Sequence, residues 1–221
     1  MTRLAIFDCD GTLVDSGATI QSALAETFGL HGLKLPPPAQ SRKVIGLSLA
    51  EAMAALVPEA RPEDHLQLAE TYKSCFFNAR QRGEVEEPLF DGILELLDAM
   101  EAEGWLLAVA TGKSDRGLKH CLERHGIHAR FVSLQTADRH PSKPSPQMAL
   151  AAMAEAGANP EHTIVVGDTS FDMAMAMAAG AAGIGACWGY HDREELEAAG
   201  AAAVAEVPAD VAGIAKGIVN G

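Results

Sequence analysis

No surplus of cations, no long apolar run and no paired-cysteine spacing occur in this chain of 221 residues, and each absence narrows what it does. The 17 Lys and Arg stand against 30 Asp and Glu, a formal net charge of -13, which argues against nucleic acid and anionic membrane surfaces as partners. Screening confines surface charge effects to roughly 8 Å at physiological ionic strength, so a small anionic substrate stays open if a metal or lysine supplies a local cation. No apolar run approaches the ~20 residues that span a bilayer. The N-terminal apolar run breaks at Asp8, unlike a secretory leader. Cys9, Cys75, Cys121 and Cys187 are scattered without a C-x-x-C pair, as free thiols in a reducing cytoplasm are, and a cytoplasmic protein is expected. What is present is ordinary for a folded domain: 48% hydrophobic and 21% charged residues, with length for one core or a core plus an insert.

Apolar runs of strand length recur at Leu4–Phe7, Trp105–Ala110, Phe131–Leu134, Thr163–Val166 and Gly183–Cys187. Helical patterns separate them. In F-D-G-I-L-E-L-L-D-A-M-E-A-E-G, Ile93, Leu96, Leu97 and Met100 recur at i, i+3, i+4 and i+7, and Gly104 suits the stop. Unpatterned strands alternating with amphipathic helices predict an α/β fold, a Rossmann-like parallel sheet with helices on both faces. A weak last strand is expected within Ala201–Val207, before a helix from Ala209 onward. From Gly17 to Arg82 the rhythm breaks: helical patterns at Ile20–Leu30, Ser48–Val57 and Pro62–Arg82 follow one another with no strand. That is too much helix for one crossover, so residues 16–87 are read as a small all-helical cap domain inserted into a core of residues 1–15 and 88–221. Ligands of open α/β sheets bind beyond the carboxyl ends of the strands, which sets such an insert over the site as a lid.

The residues just past each apolar run are the informative ones. After the first come Asp8, Asp10, Gly11 and Thr12; after the second, Thr111, Gly112, Lys113 and Ser114; after the fourth, Gly167, Asp168, Thr169, Ser170, Phe171 and Asp172. P-S-K-P-S-P puts Lys143 in a turn before the helix of Gln147–Ala156. Carboxylates, a hydroxyl and an ammonium thus gather at one sheet edge. Oxygen ligands from Asp8 and Asp168 match Mg²⁺, and no His or Cys clusters with them as zinc would require. Thr111, backbone N–H groups and Lys143 suit the oxygens of a phosphoryl group. Mg²⁺ and Lys143 would also offset the repulsion between the aspartates.

D-C-D-G-T-L-V-D-S closely resembles the first motif of the haloacid dehalogenase superfamily, and three further motifs follow in order: the threonine ending V-A-T-G-K, the lysine of S-K-P, and the acidic G-D-T-S-F-D. The layout is similar to phosphoglycolate phosphatase, with a cap of the helical C1 type. The resemblance implies a Mg²⁺-dependent phosphatase. Asp8 would be the nucleophile forming an aspartyl-phosphate, and Asp10 the general acid and then base. Thr111 and Lys143 would hold the phosphoryl oxygens, with Gly11 and Gly112 lining the phosphate site. Asp168, Asp8 and the Asp10 backbone carbonyl would ligate the metal, and Asp172 would order it as a ligand or through its neighbours. The loop after Asp10 would serve as the cap hinge. Dehalogenating relatives lack an aspartate at position 10, so the chemistry implied is phosphate transfer. Position 112 departs from the pattern, being glycine where many relatives carry asparagine.

Phosphoglycolate is the first substrate expectation, within a class of small phosphorylated metabolites. A β-phosphoglucomutase-like enzyme and a pyrophosphatase would use the same core residues, and a non-catalytic binding module is the reading from another class. Monomer and small homo-oligomer both stay open. In the cap, Arg42 and Lys43 of S-R-K-V-I-G are candidates for an anionic substrate tail or a solvated helix start; Tyr72 and Lys73 have less support. Lys113 either approaches the substrate or pairs at the surface with an acidic neighbour. Asp15 either caps the first cap helix or acts near the hinge. Cys9, alternating with the aspartates, should pack away from them. Met173, Met175 and Met177 read as packing, and the scattered His120, His125, His128, His140 and His191 as packing or surface residues, His191 being nearest the edge.

Overall fold

The computed structural model describes residues 1–220. The five apolar runs form β1 (Arg3–Phe7), β2 (Trp105–Thr111), β3 (Phe131–Thr136), β4 (Thr163–Gly167) and β5 (Ala182–Ala186), and the weak sixth forms β6 (Ala203–Ala205). Between β1 and β2 run α1 (Gly17–Leu30), α2 (Pro38–Arg42), α3 (Leu49–Leu56), α4 (Pro62–Gln81) and α5 (Ile93–Ala102). The later helices are α6 (Asp115–Arg124), α7 (Gln147–Ala156), α8 (Ser170–Ala178), α9 (Arg193–Ala198) and α10 (Asp210–Asn220).

All pairings are parallel, in the order β3-β2-β1-β4-β5-β6. The order reverses between β1 and β4, and a crevice opens beyond the carboxyl ends of strands at such a point. Successive β1 side chains divide between two cores, as the period of a strand requires. Ala5 and Phe7 pack with Leu107 and Val109 beneath α5, α6 and α10; Leu4 and Ile6 pack with Ala108 and Ala110 against α7 and α8. Helix α5 buries Ile93, Leu96, Leu97 and Met100 on its expected stripe. Each fully buried side chain of this size contributes about 1.5–3 kcal/mol.

Helices α1, α3 and α4 form an apolar cluster of their own around Leu24, Phe28, Met53, Leu56 and Leu68. The chain enters and leaves this layer side by side: Val14 bridges Leu89, and Asp15 N–H donates to the Pro88 carbonyl at 2.8 Å. Helix α1 begins earlier than its apolar pattern, at Gly17. Helix α2 lies in the proline-rich stretch, with Pro38 in its first turn, and its five residues are too few to show a helical period. Among the described residues no helix is long and apolar enough to cross a membrane.

Candidate active site

The backbone keeps its register one residue beyond β1, where Asp8 N–H donates to the Val166 carbonyl at 2.9 Å. The chain then folds over, with Leu13 and Val14 N–H both donating to the Cys9 carbonyl. Gly11 takes a φ of +88°, and a Cβ there would stand 2.2 Å from Asp168 Oδ2. Only glycine admits both the conformation and the carboxylate. Cys9 faces the opposite core, packed with Cys121, and contact with that thiol together with burial pushes its own thiol well up. All four cysteines are free.

Asp168 follows β4 on the other side of the crevice. Its Oδ1 accepts from Thr12 Oγ1 at 2.8 Å and its Oδ2 from Tyr190 N–H at 2.9 Å. Asp172 stands in the first turn of α8, where T-S-F-D forms a capping box: the Thr169 N–H and hydroxyl both donate to Asp172 Oδ2. Its Oδ1 accepts from Lys143 Nζ at 2.6 Å, and the same ammonium lies 2.9 Å from Asp8 Oδ1. Asp8, Asp168 and Asp172 offer carboxylate oxygens within 4.8 Å of one another, all buried.

Three buried carboxylates facing one ammonium leave negative charge uncompensated. Burial pushes the Asp8 carboxyl up to about 7, Lys143 pulling it down, and Asp172 and Asp10 adding repulsion. Burial also raises Asp168 well above the usual carboxylate range, with the charges of Asp8 and Asp172 behind it. Burial alone would lower Lys143, yet Asp172 and Asp8 outweigh it and hold the ammonium above its ordinary value. Asp8 Oδ2 is buried without a hydrogen-bond partner. An orphaned carboxylate oxygen among hard oxygen donors, with no His or Cys in the cluster, fits a Mg²⁺ ion.

Asp10 points toward the helical layer. Its Oδ1 accepts from Ser16 Oγ and lies 2.7 Å from Lys113 Nζ. Lys113 is not a surface lysine: it is largely buried, and its second partner is Glu87 Oε1 at 2.6 Å, itself bound through Oε2 to Arg80 at 3.1 Å. Burial would lower Lys113, but Asp10 and Glu87 drive it well above its usual value. Thr111 is buried at the end of β2, its Oγ1 accepting from Lys113 N–H.

Gly112 meets the helical layer directly: a Cβ there would lie 2.4 Å from the Leu47 carbonyl oxygen and 2.9 Å from that of Gly46. The same α2–α3 segment docks through Ser48 N–H on Ser142 Oγ at 2.7 Å. A cavity of about 330 Å³ lies between this layer and the strand edge, reaching Asp10, Gly112 and Lys113. Tyr72 and Lys73 line it. Arg42 is exposed and does not line it, and the exposed Lys43 pairs with Glu195. Of the two expectations for Arg42 and Lys43, this outward placement matches the solvated helix start, and neither side chain reaches the cavity.

Several contacts were not legible from residue type. Trp188 Nε1 donates to the Thr12 carbonyl, and the Tyr190 hydroxyl meets Ser16 N–H at 3.2 Å, so W-G-Y-H buttresses the first and fourth motif loops. Its position after β5 was the available signal. His191 is buried, accepts from Ser170 N–H on Nδ1 and packs edge-on against Phe171. Asp15 Oδ1 accepts from Gly17 N–H at 3.2 Å, a local bond at the start of α1. Met173 and Met175 are buried, whereas Met177 is exposed and packs no core.

A parallel sheet that gathers its carboxylates and a buried lysine at the switch in strand order is the layout of an α/β enzyme handling an anionic group. The family profile of the haloacid dehalogenase-like hydrolases matches residues 5–186. The chain belongs to that family, among its phosphatase-type enzymes. It is 33% identical to the probable phosphatase IndB of Dickeya dadantii, over 100% of this chain and 96% of that protein. A phosphoglycolate phosphatase of Agrobacterium fabrum is 31% identical over 89% of this chain and 85% of its own length. The crystal structure of a hydrolase from Pseudomonas syringae superposes with a TM-score of 0.85 at 27% identity, covering 99% of both chains.

Proposed function

We propose that this chain is a Mg²⁺-dependent phosphatase that hydrolyses a small phosphate monoester through an aspartyl-phosphate on Asp8. The observation that carries the reading is the position of Asp8: one oxygen held by Lys143 and the Cys9 N–H, the other buried and unpartnered. Asp8 and Asp168, with the Asp10 carbonyl, would hold the ion. When bound, Mg²⁺ supplies positive charge that keeps the carboxylates ionised and neutralises the phosphoryl oxygens. Asp172 uses one oxygen on Lys143 and the other on Thr169, so its task is to orient the lysine.

An Asp8 oxygen attacks phosphorus as the ester bond breaks, and the Asp10 carboxylic acid gives its proton to the departing alkoxide. Asp10, now a carboxylate, then takes a proton from the water that attacks the aspartyl-phosphate. Phosphate leaves and Asp8 is regenerated. Lys143 and Thr111 hold the phosphoryl oxygens at the sheet edge, and the Gly11 turn admits Asp168 beside them. Residues 16–87 act as a cap whose α2–α3 segment excludes water from the site. The setting is the reducing cytoplasm, in keeping with four free thiols.

Phosphoglycolate, the substrate in the name of the Agrobacterium relative, is the reference compound for the test. Phosphate release is measured over small monoesters and pyrophosphate with Mg²⁺, then with EDTA. Metal-dependent release that EDTA stops and Mg²⁺ restores is expected. Turnover of a sugar phosphate to its isomer with little free phosphate would instead indicate a phosphomutase.

A further inference from the structure

The cavity that opens on Asp10 has walls of a definite kind. Leu24, Val44, Met53 and Leu56 line it together with Tyr72 and Phe76, whose ring centroids lie 6.0 Å apart. Its volume of about 330 Å³ lies in the range of small-molecule sites, roughly 300–1,000 Å³. A two-carbon acid fills only a minor part of it.

The charges around it are already matched. Lys113 is shared between Asp10 and Glu87, Arg80 is bound to Glu87, and Lys73 to Glu70. Among the described residues only Arg116, of the cations lining the cavity, has no carboxylate partner, and it lies at the exposed rim, 4.8 Å above the Phe77 ring. A second anionic group on the substrate would therefore enter an apolar enclosure with no free ammonium or guanidinium inside it, which is costly. Ser41, Ser114 and Asp138 also line the cavity, and the Tyr72 hydroxyl adds a polar group to its aromatic wall.

We propose that this cavity takes an uncharged, ring-bearing alcohol portion of a phosphate monoester, in place of the compact anionic portion of phosphoglycolate. The proposal rests on the phosphatase reading and narrows its substrate class. A ring packs against the Tyr72 and Phe76 faces in offset or edge contact, and its burial removes the aliphatic wall from water. The ester oxygen then lies toward Asp10, the carboxylate that lines the cavity.

The test compares kcat/KM for benzyl phosphate, 2-phenylethyl phosphate, ethyl phosphate and phosphoglycolate on the full chain with Mg²⁺. All four leave as alkoxides of alcohols, so differences report on the cavity. The two ring esters should exceed ethyl phosphate and phosphoglycolate by about 10-fold or more, the size of effect an apolar pocket gives. Ile20→Arg, which puts a cation into the lining, should cut that preference about 10-fold. An active enzyme that favours phosphoglycolate overturns this inference and leaves the phosphatase reading intact. Silence toward every ester, p-nitrophenyl phosphate included, overturns the phosphatase reading and this one with it. The wild-type ranking decides by itself if the variant does not fold.

Discussion

The Lys143 ammonium lies 2.6 Å from Asp172 Oδ1, with both side chains fully excluded from solvent. Removing one partner of a buried pair leaves a charge that neither water nor protein compensates, typically at a loss of about 3–5 kcal/mol. Asp172→Asn keeps the volume and removes the charge. It should lower stability in urea unfolding by less than that, because Asp8 still faces the ammonium at 2.9 Å. Its effect on kcat should exceed its effect on KM, because the lysine loses its fixed position at the phosphoryl oxygens. An unchanged unfolding midpoint would mean that Lys143 finds enough compensation in Asp8 alone.

Asp8→Asn removes the proposed nucleophile and changes no volume. Turnover should fall by a factor on the order of 10⁴ or more, as when other covalent catalysts lose theirs. It also relieves a buried carboxylate from desolvation and from repulsion by Asp172 and Asp10, so the metal-free variant should unfold no earlier than the parent. Circular dichroism and phosphate release on one preparation check both. Substantial metal-dependent turnover would remove Asp8 from the mechanism.

The raised carboxyls of Asp8 and Asp168 would tie the proposed metal binding to pH. The folded state holds their protons more tightly than the unfolded chain, whose aspartates titrate near 3.9. Metal-free stability should therefore fall as pH rises from about 4 toward about 7, because the native state binds more protons across that window. Mg²⁺ binding requires the ionised forms and releases those protons. The rise in Tm on adding Mg²⁺ should thus be small near pH 5 and grow up to about pH 7.5, as thermal scans with and without EDTA would show. A pH-independent rise would separate the metal from these carboxylates.

The sheet and the candidate site were legible for one shared reason. A parallel strand is a continuous apolar run, and the residues following it fall at one edge, so Asp8, Asp168 and Thr111 are brought together by local pattern alone. Asp172 follows from the T-S-F-D capping box and Lys143 from its turn. Partnerships between distant segments leave no such trace. Nothing near Glu87 marks it as the second carboxylate on Lys113, and nothing in the α4 pattern distinguishes Tyr72 and Phe76 as cavity wall from ordinary helix packing. The outward placement of Arg42 and Lys43 depends on how α2 lies on the core, which residue type does not report.

Lys113 joins the general-acid candidate to the chain leaving the helical layer, through Asp10 and Glu87. Burial would raise the Glu87 carboxyl, but Lys113 and Arg80 outweigh it and leave it below its ordinary value. A lowered carboxyl stabilises the fold above the unfolded value of about 4.3 and loses that contribution as pH falls through the folded one. Lys113→Met should therefore destabilise by about 2–4 kcal/mol at pH 7, with the difference from the parent shrinking below pH 4. Denaturant melts at pH 7 and 3.5 measure it; an equal loss at both would assign the effect to packing.

Gly112 is where the core and the helical layer touch backbone to side. A Cβ there would sit 2.4 Å from the Leu47 carbonyl oxygen, a contact that neither atom can relieve by rotating a side chain. Gly112→Asn should hold the α2–α3 segment away from the strand edge. Displacement by about 1 Å near a reacting centre costs on the order of 10²-fold, so kcat/KM should fall 10- to 100-fold. Stability should fall by about 1–3 kcal/mol as well, because the clash is with backbone atoms and the docked segment must shift to relieve it. Gly112→Ala carries the clashing Cβ and nothing more, and should show most of the same loss. An asparagine variant with full activity would mean that the segment seats elsewhere during turnover, and that the glycine is no condition of closure.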